Sequence, residues 1–376
     1  MPDAARPLRL AFIANPTSIL VQRWVSFFAR RGHQVTLLDG FGSPASAGLD
    51  DAVRVIRYDA RGPIRLPLAP TINAWFRLRR ILGDLRPDVV HAHSVKRYGW
   101  QAGIAACHPY VISTWGSDVL LPPDGWQARF WNRRTLGRAD LVTAVSQFMR
   151  DAAIDAGARA KRVVIVQFGV DVARFSPAPV TGETLRELGL DGRSFVFSPR
   201  AMKPIYNHET ILAAFGRLGD VAQLVMTGRN ADAAHRELLV RRMEELGISE
   251  RVLVIDDIPD DAMLALYRAA AVVVSAPLSD SFPITLLEAM ACGTPIVAGD
   301  LPPVRAGLAD LAPDAIVPTT DVTAMADALR RAVEMPPAER RTLGELLRRR
   351  AVASADYETN MLRMERLYRE LVSGRR

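Results

Sequence analysis

The chain has 376 residues, a formal charge of +7 and a hydrophobic content of 49%. This length exceeds what one ordinary core accommodates, so we expect two domains. The two cysteines are far apart and form no CxxC pair, which argues against a disulfide framework and favours a reducing cytoplasm. No apolar run approaches the roughly 20 residues that span a bilayer, and the first residues do not resemble a signal peptide. The positive charge favours anionic partners without choosing among nucleotides, phospholipids and nucleic acid.

Short β-branched runs alternate with longer helical patterns along the whole chain. The first series of predicted strands is Leu8–Ala14, Gln34–Leu38, Val53–Tyr58, Val89–His93, Tyr110–Thr114, Leu141–Ala144 and Val163–Gln167. The second series is Phe195–Ser198, Gln223–Thr227, Val252–Ile255, Val272–Ser275, Pro295–Ala298 and Ala315–Val317. Strands that alternate with helices indicate parallel sheets covered on both faces. We therefore predict an α/β protein of two Rossmann-like, doubly wound domains that face a central cleft, with a boundary near residue 175.

The predicted domains comprise residues 1–175 and 176–355, and the remaining residues, 356–376, contain a final helix pattern. That pattern covers Tyr357–Val372 and no strand follows it. Two arrangements are open for this helix, because it can cap the second sheet or pack back on the first domain.

Two carboxylates follow the predicted strand Val272–Ser275. Asp280 stands in the loop after this strand, and Glu288 lies about one turn inside the helix that Pro283 begins. Open parallel sheets bind ligands at the carboxyl ends of their strands, and a helix N-terminus there attracts a diphosphate. Glu288 can accept two hydrogen bonds from a vicinal diol such as ribose. Either acid alone is more often an ordinary solvated residue; the pair in this position favours a sugar-nucleotide site.

The stretch DSFPITLLEAMACGTPIVA, residues 280–298, resembles the signature of the family 4 retaining glycosyltransferases (glycosyl transferases group 1). This family has the GT-B fold. Its signature is an acidic residue and a glutamate separated by seven residues, and Asp280 replaces the usual first glutamate. The resemblance implies that Asp280 contacts hydroxyls of the donor sugar and that Glu288 holds the ribose. It also places donor contacts at Ser281, Phe282, Pro283 and Ile284.

Further segments in family order extend the resemblance over nearly the whole chain. PDVVHAHS resembles the strand that presents a histidine, here His93, and PYVISTWGSDVL resembles the next strand and its Gly-x-Asp loop. The resemblance implies that His93 and Asp118 shape the junction of donor and acceptor. VMTGRN resembles the loop that carries a glycine of the nucleotide site, here Gly228.

Two cations follow the first strand of the second domain. Arg200 can bind a diphosphate through its planar fork, and Lys203 can bind it as a point charge. The alternative is that both are solvated loop residues. The family pattern is an arginine, a longer gap and then Lys-Gly, whereas Lys203 comes early here and Asn207 stands where a glycine is expected. Arg200 is therefore the better supported of the two.

His91 and His93 alternate on a predicted strand, so they share a face and imitate a pair of metal ligands. No third ligand follows at a fitting spacing, and we expect no metal. We favour a His93 that faces substrate and a structural His91.

The segment IANPTSILVQRW departs from the family, which commonly has a Gly-Gly loop there. Asn15, Thr17 and Ser18 are candidates to replace the backbone contacts, and the alternative is a different mode of acceptor binding. GFGSPA at Gly40 imitates a dinucleotide fingerprint, but the next predicted strand starts too soon for the required helix.

Aromatic residues alternate with arginines in residues 124–138 and 74–80 of the first domain. This composition fits an anionic membrane surface and equally fits packed helices with a basic outer face. In the first case the protein is peripheral on the inner face of the membrane; in the second it is simply cytoplasmic.

The resemblance implies a retaining, metal-independent glycosyltransferase without a cofactor. Its donor substrate is a UDP- or GDP-sugar, and its acceptor is a glycan or a lipid-linked molecule, as in cell-surface polysaccharide or glycolipid synthesis. No nucleic acid partner is expected. The alternatives are a sugar-nucleotide epimerase of the same fold and a non-catalytic module that binds a sugar nucleotide or nucleic acid.

Overall fold

The computed structural model describes residues 6–43, 48–59, 69–105, 107–121, 125–190 and 192–374. The chain divides into two compact units. Unit 1 is Met1–Phe168 together with Thr359–Arg376, and unit 2 is Gly169–Glu358. Among the described residues, none of the helices combines the length and the apolar character that crossing a membrane requires.

Unit 1 is built on a seven-stranded parallel sheet in the order β3-β2-β1-β4-β5-β6-β7. Its strands are β1 (Arg9–Ile13), β2 (Gln34–Asp39), β3 (Arg54–Arg57), β4 (Val89–His93), β5 (Tyr110–Ser113), β6 (Leu141–Ala144) and β7 (Val163–Ile165). The helices between them are α1 (Ile19–Arg30), α2 (Ala69–Leu85), α3 (Trp100–Ala105), α4 (Ser117–Leu120), α5 (Gly125–Arg138) and α6 (Gln147–Asp155). The strand order reverses between β1 and β4, so the loops after these strands diverge and leave a crevice.

Unit 2 contains a six-stranded parallel sheet in the order β10-β9-β8-β11-β12-β13. Its strands are β8 (Phe195–Ser198), β9 (Gln223–Thr227), β10 (Val252–Ile255), β11 (Val272–Ser275), β12 (Ile296–Gly299) and β13 (Ile316–Val317). Its helices are α7 (Gly182–Glu187), α8 (His208–Gly216), α9 (Ala233–Glu245), α10 (Asp260–Ala269), α11 (Ile284–Cys292), α12 (Pro302–Leu308), α13 (Val322–Val333) and α14 (Pro337–Ala355). The crevice of this sheet lies between β8 and β11.

The predicted strands are confirmed, with shifts of one or two residues at several ends. The central strands β8, β9, β11 and β12 are buried along their whole length, as expected for parallel strands that are covered by helices on both faces. The strand predicted from Pro295 begins at Ile296 instead, because proline has no N–H to donate to a ladder.

Helix α11 has the local signals that its sequence predicts. Pro283 occupies its N-cap position, and Gly293 ends it with φ of 73°, a left-handed conformation that favours glycine. A Cβ atom at Gly344 would clash with the Gly293 carbonyl, so two glycines allow α14 to pack closely against α11.

The last helix, α15 (Tyr357–Val372), joins unit 1 from Thr359 onward. The Tyr368 hydroxyl lies 2.5 Å from His91 Nδ1, and Arg31 Nε donates to Glu365 Oε2 at 2.6 Å. Tyr368 is fully buried. The end of the chain is therefore part of the core of unit 1.

Candidate active site at the carboxyl edge of unit 2

Arg200 and Asp280 meet at the crevice between β8 and β11. Arg200 follows β8 and Asp280 follows β11, and the two strands are neighbours in the sheet. The Nη2 atom of Arg200 donates to Asp280 Oδ2 at 2.8 Å, and the side chains are only 15% and 14% exposed. The second carboxylate oxygen of Asp280 accepts the backbone N–H of Phe282 at 3.3 Å. The residue predicted to bind the diphosphate, Arg200, and the residue predicted to contact the sugar, Asp280, thus form one ion pair.

The loop after β8 is tied to its neighbours through Asn207. This residue has φ of 54°, so the position that we expected to suit glycine does adopt a left-handed conformation, which asparagine tolerates. Its Nδ2 donates to the carbonyls of Thr319 and Ala276 at 2.8 and 3.2 Å. The turn that precedes Asn207 is therefore fixed against the loops after β11 and β13.

His208 supports the backbone of Arg200. Its Nε2 lies 3.1 Å from the carbonyl oxygen of Arg200, and burial lowers its pKa to about 4. The neutral imidazole therefore donates an N–H to that carbonyl near neutral pH.

Glu288 projects from α11 toward α10. Its Oε2 accepts the hydroxyl of Tyr267 at 2.6 Å, and the glutamate is half-buried. The pKa of Tyr267 is raised by burial and then by the charge of Glu288, so the hydroxyl stays protonated as a donor. Tyr267 therefore orients the carboxylate that is predicted to hold ribose.

The remaining residues that are predicted to contact the donor substrate follow Asp280 in the chain, apart from Lys203. Ser281, Phe282 and Pro283 are buried, Ile284 is half-buried, and all four form the approach to or the first residue of α11. Lys203 is exposed at the start of the turn at residues 204–206.

Gly228 is buried directly after β9. A Cβ atom there would clash with the carboxylate of Asp256, which pairs with Arg236. The glycine leaves this space to the Asp256–Arg236 pair, so the chain follows β9 here without a side chain of its own.

The candidate residues of unit 1 are enclosed. The ring of His93 lies 5.1 Å from both Trp24 and Trp115 and 4.6 Å from His91, between ring centroids. It is 2% exposed, and neither of its ring nitrogens has a partner among the described residues. Burial lowers its pKa to about 3, so it is neutral. The resemblance implies contact with substrate, whereas here aromatic side chains of unit 1 surround the ring.

Asp118 uses its carboxylate to hold backbone. Oδ2 accepts the N–H of Val95 at 2.9 Å, and Oδ1 accepts those of Trp115 and Gly116 at 3.0 and 2.9 Å. Burial raises its pKa, and these hydrogen bonds oppose that effect. Asp118 thereby joins the segments that follow β4 and β5.

Both ring nitrogens of His91, for which the sequence favours a structural role, have polar partners within unit 1. Trp24 Nε1 donates to the Tyr368 hydroxyl, which lies at His91 Nδ1, and His91 Nε2 lies 2.8 Å from Ser113 Oγ. The Tyr368 hydroxyl accepts from Trp24 and donates to His91 Nδ1, and His91 Nε2 donates to Ser113. Both ring nitrogens therefore have partners, and neither is free to bind a metal. Within the described ranges, no group of three or more metal-ligating side chains is found.

The loop after β1 is bonded to itself. The side chain of Asn15 accepts the backbone N–H and the hydroxyl of Thr17 at 3.0 and 2.9 Å, and Ser18 makes no side-chain cap bond to α1. No helix occurs among the described residues between β2 and β3, consistent with rejection of a dinucleotide fingerprint at Gly40.

Helix α5 exposes aromatic side chains. Trp126 and Phe130 are 75% and 54% exposed, so the alternative in which these two rings are packed inside does not hold. Arg129, Arg133 and Arg134 are also exposed and make no ion pair with any described carboxylate. The opposite face, which includes Asn132 and Leu136, is buried. In the second segment, 74–80, Phe76 is 65% exposed. Asp124, which begins the first segment, and the side chain of Ala74, which begins the second, lie outside the described residues.

Sequence reasoning missed Tyr206 and Tyr267, which contact Arg200 and Glu288. The guanidinium carbon of Arg200 lies 3.9 Å from the centroid of the Tyr206 ring. The sequence patterns assigned no role to either tyrosine, and only the asparagine at Asn207 signalled an unusual turn.

Two family models together match most of the chain. One, described as Glycosyl transferases group 1, matches residues 183–349, and the other, Glycosyltransferase Family 4, matches residues 18–174. The chain belongs to the group 1 glycosyl transferases. The family predicted from the signature is thereby confirmed.

Relatives in this family include two proteins of Mycolicibacterium smegmatis. A D-inositol 3-phosphate glycosyltransferase is 28% identical over 67% of this chain and 61% of its own length, so the chain matches only about three fifths of that relative. A GDP-mannose-dependent alpha-(1-6)-phosphatidylinositol monomannoside mannosyltransferase is 28% identical over 86% of this chain and 85% of its own length.

Solved structures share the fold. The sucrose-phosphate synthase of Thermosynechococcus elongatus superposes with a TM-score of 0.80 at 21% identity, covering 97% of this chain and 99% of its own. Anabaena HepE in complex with UDP-glucose gives a TM-score of 0.77 at 16% identity, covering 97% of this chain and 100% of its own. The GT-B fold, with its two Rossmann-like domains, is thus confirmed.

Proposed function

We propose that the protein transfers a sugar, with retention of anomeric configuration, from a nucleoside-diphosphate sugar to an acceptor hydroxyl. The observation that carries this proposal is the pairing of Arg200 with Asp280 at the crevice of unit 2, beside a helix whose second turn presents Glu288. A guanidinium at a parallel-sheet crevice and a carboxylate on the adjoining helix match the two ends of a nucleoside diphosphate.

In this proposal Arg200 stabilises the charge that develops on the leaving diphosphate, with Lys203 as a second cation at the entrance. The acceptor oxygen bonds to the anomeric carbon on the face from which the diphosphate departs. The bond between that carbon and the phosphate oxygen breaks, and the acceptor proton passes to the departing phosphate. Electrostatic stabilisation of such a leaving group is usually the largest catalytic contribution.

The donor is a UDP- or GDP-sugar in this proposal. One relative is named as GDP-mannose-dependent, and HepE was solved with UDP-glucose, so the two bases are the first to test. Glu288 would hold the ribose, and Asp280 would contact the sugar. No cofactor or metal is proposed, and EDTA should therefore leave turnover unchanged; activity that disappears in EDTA and returns with Mg²⁺ or Mn²⁺ would contradict this.

The decisive experiment separates transfer from isomerisation. The purified protein is incubated with UDP- and GDP-sugars, with and without glycan or lipid-linked acceptors, and products are followed by NMR. A new glycosidic bond with the donor's anomeric configuration supports the proposal. An isomerised sugar without acceptor would identify an epimerase, and nucleotide binding without any turnover would identify a binding module.

We further propose a lipid-linked acceptor and peripheral attachment to an anionic cytoplasmic membrane surface, as in glycolipid or cell-surface polysaccharide synthesis. The support is the outward face of α5, where two exposed aromatic rings accompany three arginines without carboxylate partners in the described chain. Each such arginine contributes about 1 kcal/mol of attraction to an anionic leaflet. One relative is named for a phosphatidylinositol-linked acceptor.

Vesicle co-sedimentation tests this attachment. The wild type should sediment with phosphatidylglycerol vesicles, less at high salt, and not with phosphatidylcholine vesicles. The variant R129Q/R133Q/R134Q should lose most of this binding. The matched control R241Q/R341Q/R349Q removes the same charge from exposed arginines of unit 2 and should keep it. Equal loss in both variants would show a non-specific charge effect and contradict the proposal.

A further inference from the structure

Arg200 is held from two directions. The ring of Tyr206 contacts the face of the guanidinium, 3.9 Å from centroid to carbon, and Asp280 accepts from its edge at 2.8 Å. The Nε atom of Arg200 is buried and has no acceptor among the described residues. The guanidinium is therefore restrained while part of its donor capacity stays unused.

The turn that carries Tyr206 is fixed to the rest of unit 2. The backbone N–H of Leu278 donates to the carbonyl of Ile205 at 2.9 Å, and Tyr206 N–H donates to Lys203 at the same distance. Asn207, the next residue, makes the side-chain bonds to Ala276 and Thr319 described above. The Tyr206 ring is thus mounted on a segment that is bonded to two other loops of the site.

An aromatic face suits this role for a chemical reason. A ring attracts the cation through its π electrons and accepts none of its N–H groups, so these stay available for phosphate oxygens. A second carboxylate would instead compete with the diphosphate.

We propose that Tyr206 is a positioning residue that holds the Arg200 guanidinium in place for the donor diphosphate. This inference rests on the proposed function, because it assigns the diphosphate to Arg200. Tyr206 acts through Arg200 and does not itself contact the reacting atoms. The ring fixes the plane of the guanidinium, and Asp280 fixes its rotation within that plane.

The test is a double-mutant cycle on nucleotide affinity. Titration calorimetry with UDP and with GDP is carried out on the wild type, Y206F, Y206L, R200A and Y206L/R200A. Y206L should weaken binding of the preferred nucleotide about fivefold, as expected for loss of a partly buried cation–π contact. Y206F keeps the ring and should stay within about twofold of wild type. In the R200A background, Y206L should cause no further loss.

A change in the same turn serves as the control. Ile205 is exposed and contributes only its backbone, so I205A should bind nucleotide like the wild type. Melting temperatures identify variants that fail to fold. Equal losses in Y206F and Y206L, or a full Y206L effect without Arg200, would overturn the proposal. So would a wild type that binds neither UDP nor GDP.

The outcomes separate this inference from the proposed function. Nucleotide binding that obeys the cycle, without any sugar transfer, would contradict the function and support the role of Tyr206. Sugar transfer and nucleotide binding that are both unchanged in Y206L would support the function and contradict the role of Tyr206.

Discussion

The two sheets carry opposite chemistry at their carboxyl edges. In unit 2 the crevice presents charged side chains that are partly exposed, including the pair Arg200–Asp280 and the carboxylate of Glu288. In unit 1, buried aromatic rings surround a neutral His93 at the end of β4. Both carboxylate oxygens of Asp118, after β5, accept backbone N–H groups. The same architecture thus supports a charged edge, at which we propose the donor binds, in one unit and a largely self-bonded edge in the other.

This contrast shows that the position of a polar residue in the fold is insufficient to assign its role. What distinguishes Arg200 from Asp118 is unused hydrogen-bonding capacity at the site. Arg200 has a donor without a partner in the described chain, whereas Asp118 accepts from three other residues and is 6% exposed. We therefore expect changes in unit 2 to act mainly on activity and changes in unit 1 to act mainly on stability.

The largest expected effect is on activity in unit 2. Arg200→Ala should lower turnover about 100-fold or more, as removal of a charge-stabilising donor does in other enzymes. Its melting temperature should also fall, because the Asp280 carboxylate is only 14% exposed and loses its cationic partner, so turnover is measured at a temperature where R200A is folded. Steady-state kinetics and thermal unfolding measure the two effects. R200K keeps the charge without the planar fork, and its turnover should lie between those of the wild type and R200A. Turnover of R200A within a few-fold of the wild type would mean that another cation stabilises the leaving group.

The matching change in unit 1 should act on stability. In Asp118→Asn an amide N–H group replaces one acceptor oxygen and faces a backbone N–H, at a cost of about 2–3 kcal/mol. Urea unfolding measures this free energy. The control D151N alters an exposed carboxylate on α6, where the loss should stay below about 0.5 kcal/mol. Similar stability of D118N and the wild type would show that the bonds to Asp118 contribute little.

Glu288 sharpens the contrast with a smaller effect on binding. Glu288→Gln should weaken donor affinity by about 2 kcal/mol, since hydrogen bonds to a charged group contribute roughly 1.5–3 kcal/mol. Tyr267→Phe removes only the hydroxyl that orients the carboxylate and should lose less. Calorimetric titration with the donor checks both variants. Unchanged nucleotide affinity in a folded E288Q protein would falsify the ribose assignment.

The histidines are the feature that the two units share. His93 and His208 have pKa values lowered to about 3 and about 4, below the ordinary 6.5 of the unfolded chain. Between the folded pKa and 6.5, the unfolded state binds more protons than the folded state. The stabilisation that each neutral histidine gives is therefore fully present above pH 6.5 and is lost as the pH falls toward its folded pKa. Each such histidine contributes about 1.4 kcal/mol per pH unit in this window.

The variant His93→Phe tests this pH dependence because it keeps an aromatic ring among Trp24 and Trp115. Urea unfolding is measured at pH values of about 7, 6 and 5, where a histidine is protonated in the unfolded chain before His93 is protonated in the folded protein. The free energy of unfolding should fall less steeply with pH in H93F than in the wild type. The same slope in both proteins would mean that His93 takes up protons as readily in the folded state as in the unfolded state, and would contradict its lowered pKa.

Much of the fold could be predicted because its signals are local. β-Branched runs marked β4, β6, β8 and β11 at their observed bounds, and proline and glycine marked both ends of α11. The family signature placed Asp280 and Glu288 at one sheet edge. The sequence did not reveal that Asp280 pairs with Arg200 or that two tyrosines orient the charged groups, because these partners lie far apart in the chain.

The sequence by itself determined where the strands run to within one or two residues, and where α11 and α15 run, since hydrophobic period, β-branching and turn residues act over a few positions. Only the tertiary structure decided what each polar side chain does. The order of the strands brought Arg200 to Asp280 across 80 residues, and packing enclosed His93 while it left Trp126 exposed. Burial and hydrogen-bond saturation depend on neighbours that are distant in the chain, and local patterns carry no information about them.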